Sequence, residues 1–508
     1  MKLGRRLLGR QKIFTSVQEI NRENLLEVLD KAFTAHEQNA REIQFLIEYE
    51  RGHQPLPRPK TNRKEIDIKA NSSLPNYIKR FKVGYNWGSP VMLIQRGDVE
   101  IHETDAPADD KGISGLNELL RNVENIGYLD TQMAEFIETG GIGHRMVDIK
   151  APKEFEANDN GSLFHVYTLD SRYAFVVYFN GPGQRKMLGV TYSVTDGIKY
   201  FTCFTDSMRY DVSEGEIKAE IPNLLGMIPI VEYERAVDRT GCFERKIPEI
   251  DVLNSLQSDF ANDSAQRSNE IWWGNDFDFK TDEQGNPIPP VNGQWLLTYS
   301  GEGLNPKVQP LSSTFAPAST LEAIAAQRKS ILQDCFVPIQ YESAGGGSSG
   351  TATDMSSGWS AAELDACQEQ QMTERGKREE LQLIIKAISF VDVKYLPADS
   401  PLRSVHASDI DFHFNRRKNY DLTNKANFVA QMLAKGFNGR HVIQAADIFP
   451  DNEQVWLDSK DMIEAIQKAL IDNGQTDGDG DGQVGEDSGR IQADNSDQTG
   501  NSPIIGKI

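Results

Sequence analysis

The sequence predicts an α+β fold, and three observations lead there. Apolar residues recur at spacings of three and four through residues 16–51, 114–139 and 359–395, which is helical periodicity. From about residue 160 to 235 the pattern becomes short runs of aromatic and β-branched residues, the mark of a mostly antiparallel sheet. The helices that cover this sheet come from earlier in the chain, so residues 60–240 read as one α+β domain.

In the first helix, Leu25, Leu26, Leu29, Phe33, Ile43, Leu46 and Ile47 form the apolar face, and "RGHQPLPRPK" ends it with a glycine and three prolines. A second helix is expected at 72–87, "SSLPNYIKRFKVGYNW", leading into the strand "PVMLIQRG". A third, near 114–139, stops at "TGGIGHR". The strands are "LFHVYTLD", "YAFVVYF", "MLGVTYSV" and "KYFTCFTD", parted by turns such as "NGPGQ" and "TDG". Residues 248–273 begin amphipathic, with Ile250, Leu253, Leu256 and Phe260 on one side, but Asn262 to Glu270 is almost wholly polar. A helix polar all round has no core to rest against; it is either a solvent-exposed end or packed beside copies of itself.

Residues 274–317 carry turn signals at "DEQGNPIPPVNG" and strands at "DFDFK" and "QWLLTYSG". A helix then starts at Ser319 or Thr320, good N-cap residues, and runs through Leu321, Ile324, Ala325, Ile331, Leu332 and Phe336. The stretch "YESAGGGSSGTATDMSSGW", 341–359, follows, and after it a helix over 359–395. Leu364, Leu381, Ile384, Ile385, Ile388 and Val391 form that helix's apolar face, and Pro397 lies beyond its end. The strand "DIDFHFN" and helical segments at 421–435 and 438–470 come next. From Ile471 onward, eight Asp or Glu stand against Arg490 and Lys507, and the tail reads as disordered.

The bulk properties exclude several classes. With 508 residues, 38% hydrophobic and 25% charged, the chain is a folded, soluble protein of roughly two to four domains. No apolar run approaches the roughly 18–20 residues that span a bilayer. The basic start "MKLGRRLLGRQK" lacks a signal-peptide core, so cytoplasmic synthesis is expected. Cys203, Cys242, Cys335 and Cys367 are too scattered for a zinc or CxxC site. A net charge of −21 opposes gripping nucleic acid over a broad basic surface.

Motif searches for an enzyme come back empty: there is no Walker A sequence, and Gly376-Lys377 sits inside a helix. "GGIGHR" lies between helix and strand, the reverse of the dinucleotide-binding order, and reads as a helix C-cap and turn. In "HASDIDFHF", Ile410, Phe412 and Phe414 alternate with Asp409, Asp411 and His413, the pattern of a half-buried strand rather than a metal site. In the tail, Asp477, Asp479, Asp481 and Gly482 match the first half of an EF-hand loop, but Ser488 stands where a bidentate Glu belongs. That leaves two readings, an acidic tail or a weak calcium loop. The Gly/Ser stretch lacks the lysine and Mg²⁺-binding aspartates of a nucleotide site, so a flexible loop between two helices is the better reading.

In their order, these elements resemble the portal proteins of tailed double-stranded DNA bacteriophages, in the siphophage-type branch. "YERGHQPL" (49–56), "NSSLPNYIKRFKVGYNWGSPVML" (71–93), "DVLNSLQSDFANDSAQRSNE" (251–270), and "DIDFHFNRRKNYDLTNKANFVAQML" with the following "GFNGRHVIQAADIFPDNEQVW" carry the resemblance. It spans most of 40–470. "RKNYD" departs from the more Leu/Pro-rich turn usual in the family, and the acidic tail has no counterpart.

The resemblance implies a multi-segment portal fold. Residues 1–60 would be the N-terminal helical part of the wing and 61–245 its α+β body. Residues 246–273 and 318–342 would be stem helices, and 274–317 a small β-containing clip. Next would come the tunnel loop at 343–358, the long wing helix at 359–395, a helical crown at 396–470 and the acidic tail at 471–508. It implies a dodecameric ring at one capsid vertex of the virion, with no catalysis or required cofactor and at most weak calcium at Asp477, Asp479 and Asp481. Double-stranded DNA would pass through without sequence specificity, and terminase, major capsid, scaffold and head–tail connector proteins would be partners. Gly345, Gly346, Gly347, Ser348, Ser349, Gly350, Thr351 and Thr353 would face DNA; Asn262, Gln266, Asn269 and Gln327 would pack stem helices of neighbouring subunits. A loop whose one formal charge is Asp354 follows DNA without salt-bridging to phosphates.

Overall fold

In the computed structural model the described residues are 9–55, 67–95, 111–157, 161–267, 272–275, 282–286, 303, 305, 307–310, 317–339, 358–414, 416, 422–446, 448–449, 455–456, 458–463 and 465. In chain order the first elements are β1 (Ile13–Thr15), α1 (Leu25–Glu50), α2 (Leu74–Trp87), β2 (Met92–Gln95), α3 (Lys111–Glu118), a π-helical turn (Leu119–Val123), α4 (Ile126–Gly140), β3 (Ile142–Ile149) and α5 (Pro152–Ala157). Then come β4 (Phe164–Leu169), β5 (Ala174–Phe179), β6 (Lys186–Thr195), β7 (Ile198–Phe204), β8 (Met208–Ser213), β9 (Glu216–Pro222) and β10 (Ile230–Glu234). The last in this unit are α6 (Ile247–Arg267), β11 (Trp272–Asn275), β12 (Lys307–Pro310), α7 (Pro317–Asp334), α8 (Trp359–Ser389) and β13 (Ile410–His413).

The larger sheet has the order β1-β5-β6-β7-β8-β9, with β1 parallel to β5 and every other pair antiparallel. Its hairpins follow from turn chemistry. Asp196-Gly197 and Glu214-Gly215 both take positive φ, which a two-residue turn matched to strand twist requires. Leu25, Val28, Leu29 and Ala32 of α1 share a core with Phe175, Val177, Leu188, Val190 and Val212 of the sheet. Burying each such large side chain contributes about 1.5–3 kcal/mol.

The smaller sheet, β10-β3-β4, lies in the core of α4 and α8, where Met133, Ala134 and Ile137 meet Val147, Val231, Leu381, Ile384 and Ile388. Gly376 lets α8 come close, since a Cβ there would stand 2.5 Å from the Tyr233 ring. Lys377 beside it is buried, and its Nζ reaches Asp130 at 2.7 Å and Glu380 at 3.2 Å. Arg145 Nη1 reaches the same two carboxylates at 2.7 and 2.9 Å. "GGIGHR" is a helix cap: Gly141, at φ 78, donates to Ile137 O and ends α4.

Several elements differ from the sequence expectation. The helix expected over 114–139 is broken by the π-helical turn and by Asn125 at φ 51. α6, expected to run to 273, ends at Arg267, and Trp272–Asn275 instead pairs with Lys307–Pro310 as a strand, because two adjacent tryptophans suit a paired strand better than an exposed helix end. "DFDFK" and "QWLLTYSG" lie outside the described residues. Residues 396–414, assigned by resemblance to the crown, belong to this unit: Leu396, Val405, Ile410 and Phe412 enter its core, and β13 pairs with β2. The long helix stops at Ser389, six residues before the expected 395.

The described residues from 422 onward belong to a second unit. Its helices Leu422–Ala434 and Gly439–Ala446 are described, with Leu433, Val442, Ile443, Ala446 and Trp456 buried. Gly439 sits so close to Trp456 that a Cβ there would stand 2.5 Å from the indole. The expected helix over 438–470 is interrupted at 448–449, next to Pro450.

Candidate functional site

The Gly/Ser stretch is best understood from its two ends. On the incoming side, α7 closes with Phe336 donating to Gln333 O and Val337 to Leu332 O. Ile331, Leu332, Cys335 and Val337 then join a core with Leu46, Tyr49, Ile78, Phe243, Ile250 and Leu253. On the outgoing side, Gly358 has φ 88 and its carbonyl accepts from Ala362 to start α8. A Cβ on Gly358 would stand 3.8 Å from Pro338 Cα, so the chain returns to the point where it left. Trp359 is fixed there by Phe81 and Tyr85, with ring centroids 6.0 and 5.8 Å away. The residues that flank the Gly/Ser stretch, Pro338 and Gly358, thus meet at one seat within one unit. Gly345, Gly346, Gly347, Ser348, Ser349, Gly350, Thr351 and Thr353 lie outside the described residues.

Charged residues brace that seat. Lys82 of α2 is buried, bonds Asp365 of α8 at 2.6 Å and reaches the Phe336 carbonyl at 3.5 Å, joining both ends of the loop. Arg235, just past β10, pairs with Glu138 at 3.0 Å and Asp365 at 3.1 Å, and lies 3.7 Å from Glu369. Burial opposes its charge, but Glu138, Glu369 and Asp365 overcome that and hold the guanidinium firmly protonated. Asn86 donates to Glu369 at 2.9 Å and Trp87 Nε1 donates to it at 3.3 Å. None of these residues stood out in the sequence. The one available signal was Asp365 and Glu369, four apart on α8 and on the same face as buried Ala362, Ala366 and Thr373.

The polar part of α6 is held by an extended segment of its own chain. Asn254, Ser258 and Asn262, each four residues apart, accept from the backbone N–H groups of Ser72, Ala70 and Ile68 at 2.8, 3.0 and 2.7 Å. Asn262 also donates back to Ile68 O at 3.0 Å. Four helical residues rise about 6 Å, and two extended residues span about 6.6 Å. An extended strap therefore runs antiparallel along the helix with its hydrogen bonds in step. Gln54 secures the strap's end by donating to Tyr49 O and Ser72 O. Asn262, expected at a subunit contact, is thus buried against its own chain. The side chains of Gln266 and Asn269 lie outside the described residues, and Gln327 is half-buried on α7. Along α7 the buried residues are Ile331 and Leu332, near its end, whereas Leu321 is 50% exposed.

Asp411 and His413 are half-buried while Ile410 and Phe412 are buried, as alternation along a strand requires. Among the described residues no group of His, Cys, Asp or Glu is arranged to hold a metal ion. Asp477, Asp479 and Asp481 lie outside them. Among the described residues no helix is long and apolar enough to cross a membrane.

No curated protein matches the sequence. One solved structure, titled "Neck of empty GTA particle computed with C6 symmetry", is similar over 79% of this chain and 96% of that chain, with 13% identity and a TM-score of 0.42. The family described as "Phage portal protein, SPP1 Gp6-like" matches residues 29–469. The match takes in most of α1, the larger sheet apart from β1, the smaller sheet, α6, α7 and α8, and the chain belongs to this phage portal protein family.

Proposed function

We propose that this chain is the subunit of a portal ring, dodecameric in the virion, set at one capsid vertex. The ring is the channel for DNA packaging and ejection and the docking platform for terminase and then the head–tail connector proteins. The family match over residues 29–469 carries the proposal. The geometry supports it in two places. A loop that leaves and returns at one braced seat suits a contact with a moving polymer. A stem helix that buries only Ile331 and Leu332 suits side-by-side packing with neighbours. The chain itself does no catalysis in this reading. Calcium binding by Asp477, Asp479 and Asp481 is a separate proposal, weak for want of a twelfth-position Glu. Calorimetry on the full chain and on one ending at 470 tests it, and equal heats overturn it.

The loop's role is tested by Ser348→Trp and Ser349→Trp in the phage that encodes this chain. Packaging falls while rings assemble normally; normal packaging by both variants overturns the DNA-facing role.

A further inference from the structure

Among the described residues, the buried charges around the start of α8 do not balance. Glu138 from α4 and Asp365 and Glu369 from α8 face Lys82 from α2 and Arg235 from beyond β10, three carboxylates against two cations. The thiols of Cys242 and Cys335 also face the cluster, and burial pushes both up, so they stay neutral near pH 7. The cations are unevenly shared. Asp365 takes Lys82 at 2.6 Å and Arg235 at 3.1 Å, Glu138 takes Arg235 at 3.0 Å, and Glu369 has Arg235 only at 3.7 Å. Glu369 and Glu138 are both buried and crowd the same two donors: the Asn86 amide at 2.9 and 3.5 Å, and Arg235 Nε at 3.7 and 3.0 Å.

Glu380, further along the same helix, shows the opposite case. It has Arg145 at 2.9 Å and Lys377 at 3.2 Å; burial opposes its ionisation, but these cations hold its carboxyl down to about 2. At Glu369, burial and the Glu138 carboxylate outweigh the opposing pull of Arg235, 3.7 Å away, and of Lys82. A buried carboxyl beside a second carboxylate, with its nearest cation closer to that neighbour, favours its protonated form.

We propose that Glu369, beside Glu138, keeps a proton near neutral pH, and that its loss at higher pH loosens the joint between the first turns of α8 and α2, α4 and β10. The inference concerns the chain's own core and stands whether or not it forms a ring. Burial and Glu138 raise the Glu369 carboxyl to about 8 in the folded protein, against 4.5 for an ordinary glutamate. The folded state then binds more protons than the unfolded one across that window. The associated stability is fully present below about 4.5, declines as pH rises, and is gone above about 8.

The test uses the full-length protein. Infrared titration should show a protonated carboxyl C=O band that persists at pH 7 and disappears on further titration to pH 9, and that is missing in Glu369→Gln. Over the same range the wild-type Tm should fall more steeply with pH than the variant's, and the variant should be the more heat-stable at the alkaline end. No protonated-carboxyl band at pH 7 in the wild type overturns the proposal, as does an equal pH slope in wild type and variant. If Glu369→Gln does not fold, the wild-type infrared titration decides, with Glu138→Gln supplying the band assignment.

Discussion

The regions proposed as the wing and the stem of a ring are held together by different means. At the wing's centre, α8 crosses the smaller sheet on an apolar core, and Arg145 and Lys377 meet Asp130 and Glu380 with two charges of each sign. In the proposed stem, the start of α6 sits in an apolar core with α1 and α2, its later turns are bound by uncharged hydrogen bonds to the strap 67–72, and α7 buries little beyond Ile331 and Leu332. The difference teaches where each part finds its partners. The wing draws its core and its counter-charges from its own chain. The stem satisfies its backbone but leaves α7 short of apolar cover, which in the proposed ring comes from the neighbouring subunit.

The most severe way to break the wing is Arg145→Ala. It leaves Asp130 and Glu380 with Lys377 alone, and the uncompensated buried charge should cost about 3–5 kcal/mol in chemical denaturation. A comparable loss on Lys246→Ala, whose partners Glu249 and Asp334 are more exposed, would show that burial is not what matters.

Acid should also find the wing before the strap. His36 stacks on Phe175 at 4.5 Å and donates from Nε2 to Arg172 O, and burial lowers its pKa to about 4. With the folded pKa below the unfolded value, the contribution is present above about 6.5 and lost as pH falls toward about 4, up to roughly 3 kcal/mol. His36→Gln should flatten that part of the stability–pH curve.

For the stem, Asn262→Ala strips the Ile68 N–H and C=O of their partner and should cost about 1–3 kcal/mol. Because no charge is involved, the loss should be the same from pH 5 to pH 8, unlike that from His36→Gln. A pH-dependent loss would mean that the strap is held by something other than the amide ladder. The smallest effect sharpens the contrast most. Leu321→Ser, at a site 50% exposed, should change subunit stability by less than about 0.5 kcal/mol yet lower the yield of rings.

Much of this was legible in the residues, and the failures have physical reasons. β4 to β7 announce themselves through aromatic and β-branched runs, whereas β9, with Glu216, Lys218 and Glu220, is an exposed edge whose charges hide it. The turn at Asp196-Gly197 and the cap at Gly141 follow from local backbone chemistry and were readable for that reason. The strap was not, because matching Asn254, Ser258 and Asn262 to residues 72, 70 and 68 needs two distant segments aligned at once. The charge cluster at the loop's seat was hidden in the same way: Lys82, Glu138, Arg235, Asp365 and Glu369 come from four separate elements.

Imaging the purified chain under conditions that favour assembly tests the central claim most directly. Closed rings with a central channel, in which the α6–α7 pairs of adjacent subunits stand side by side, are the predicted result. Monomers or dimers under every assembly condition would contradict it.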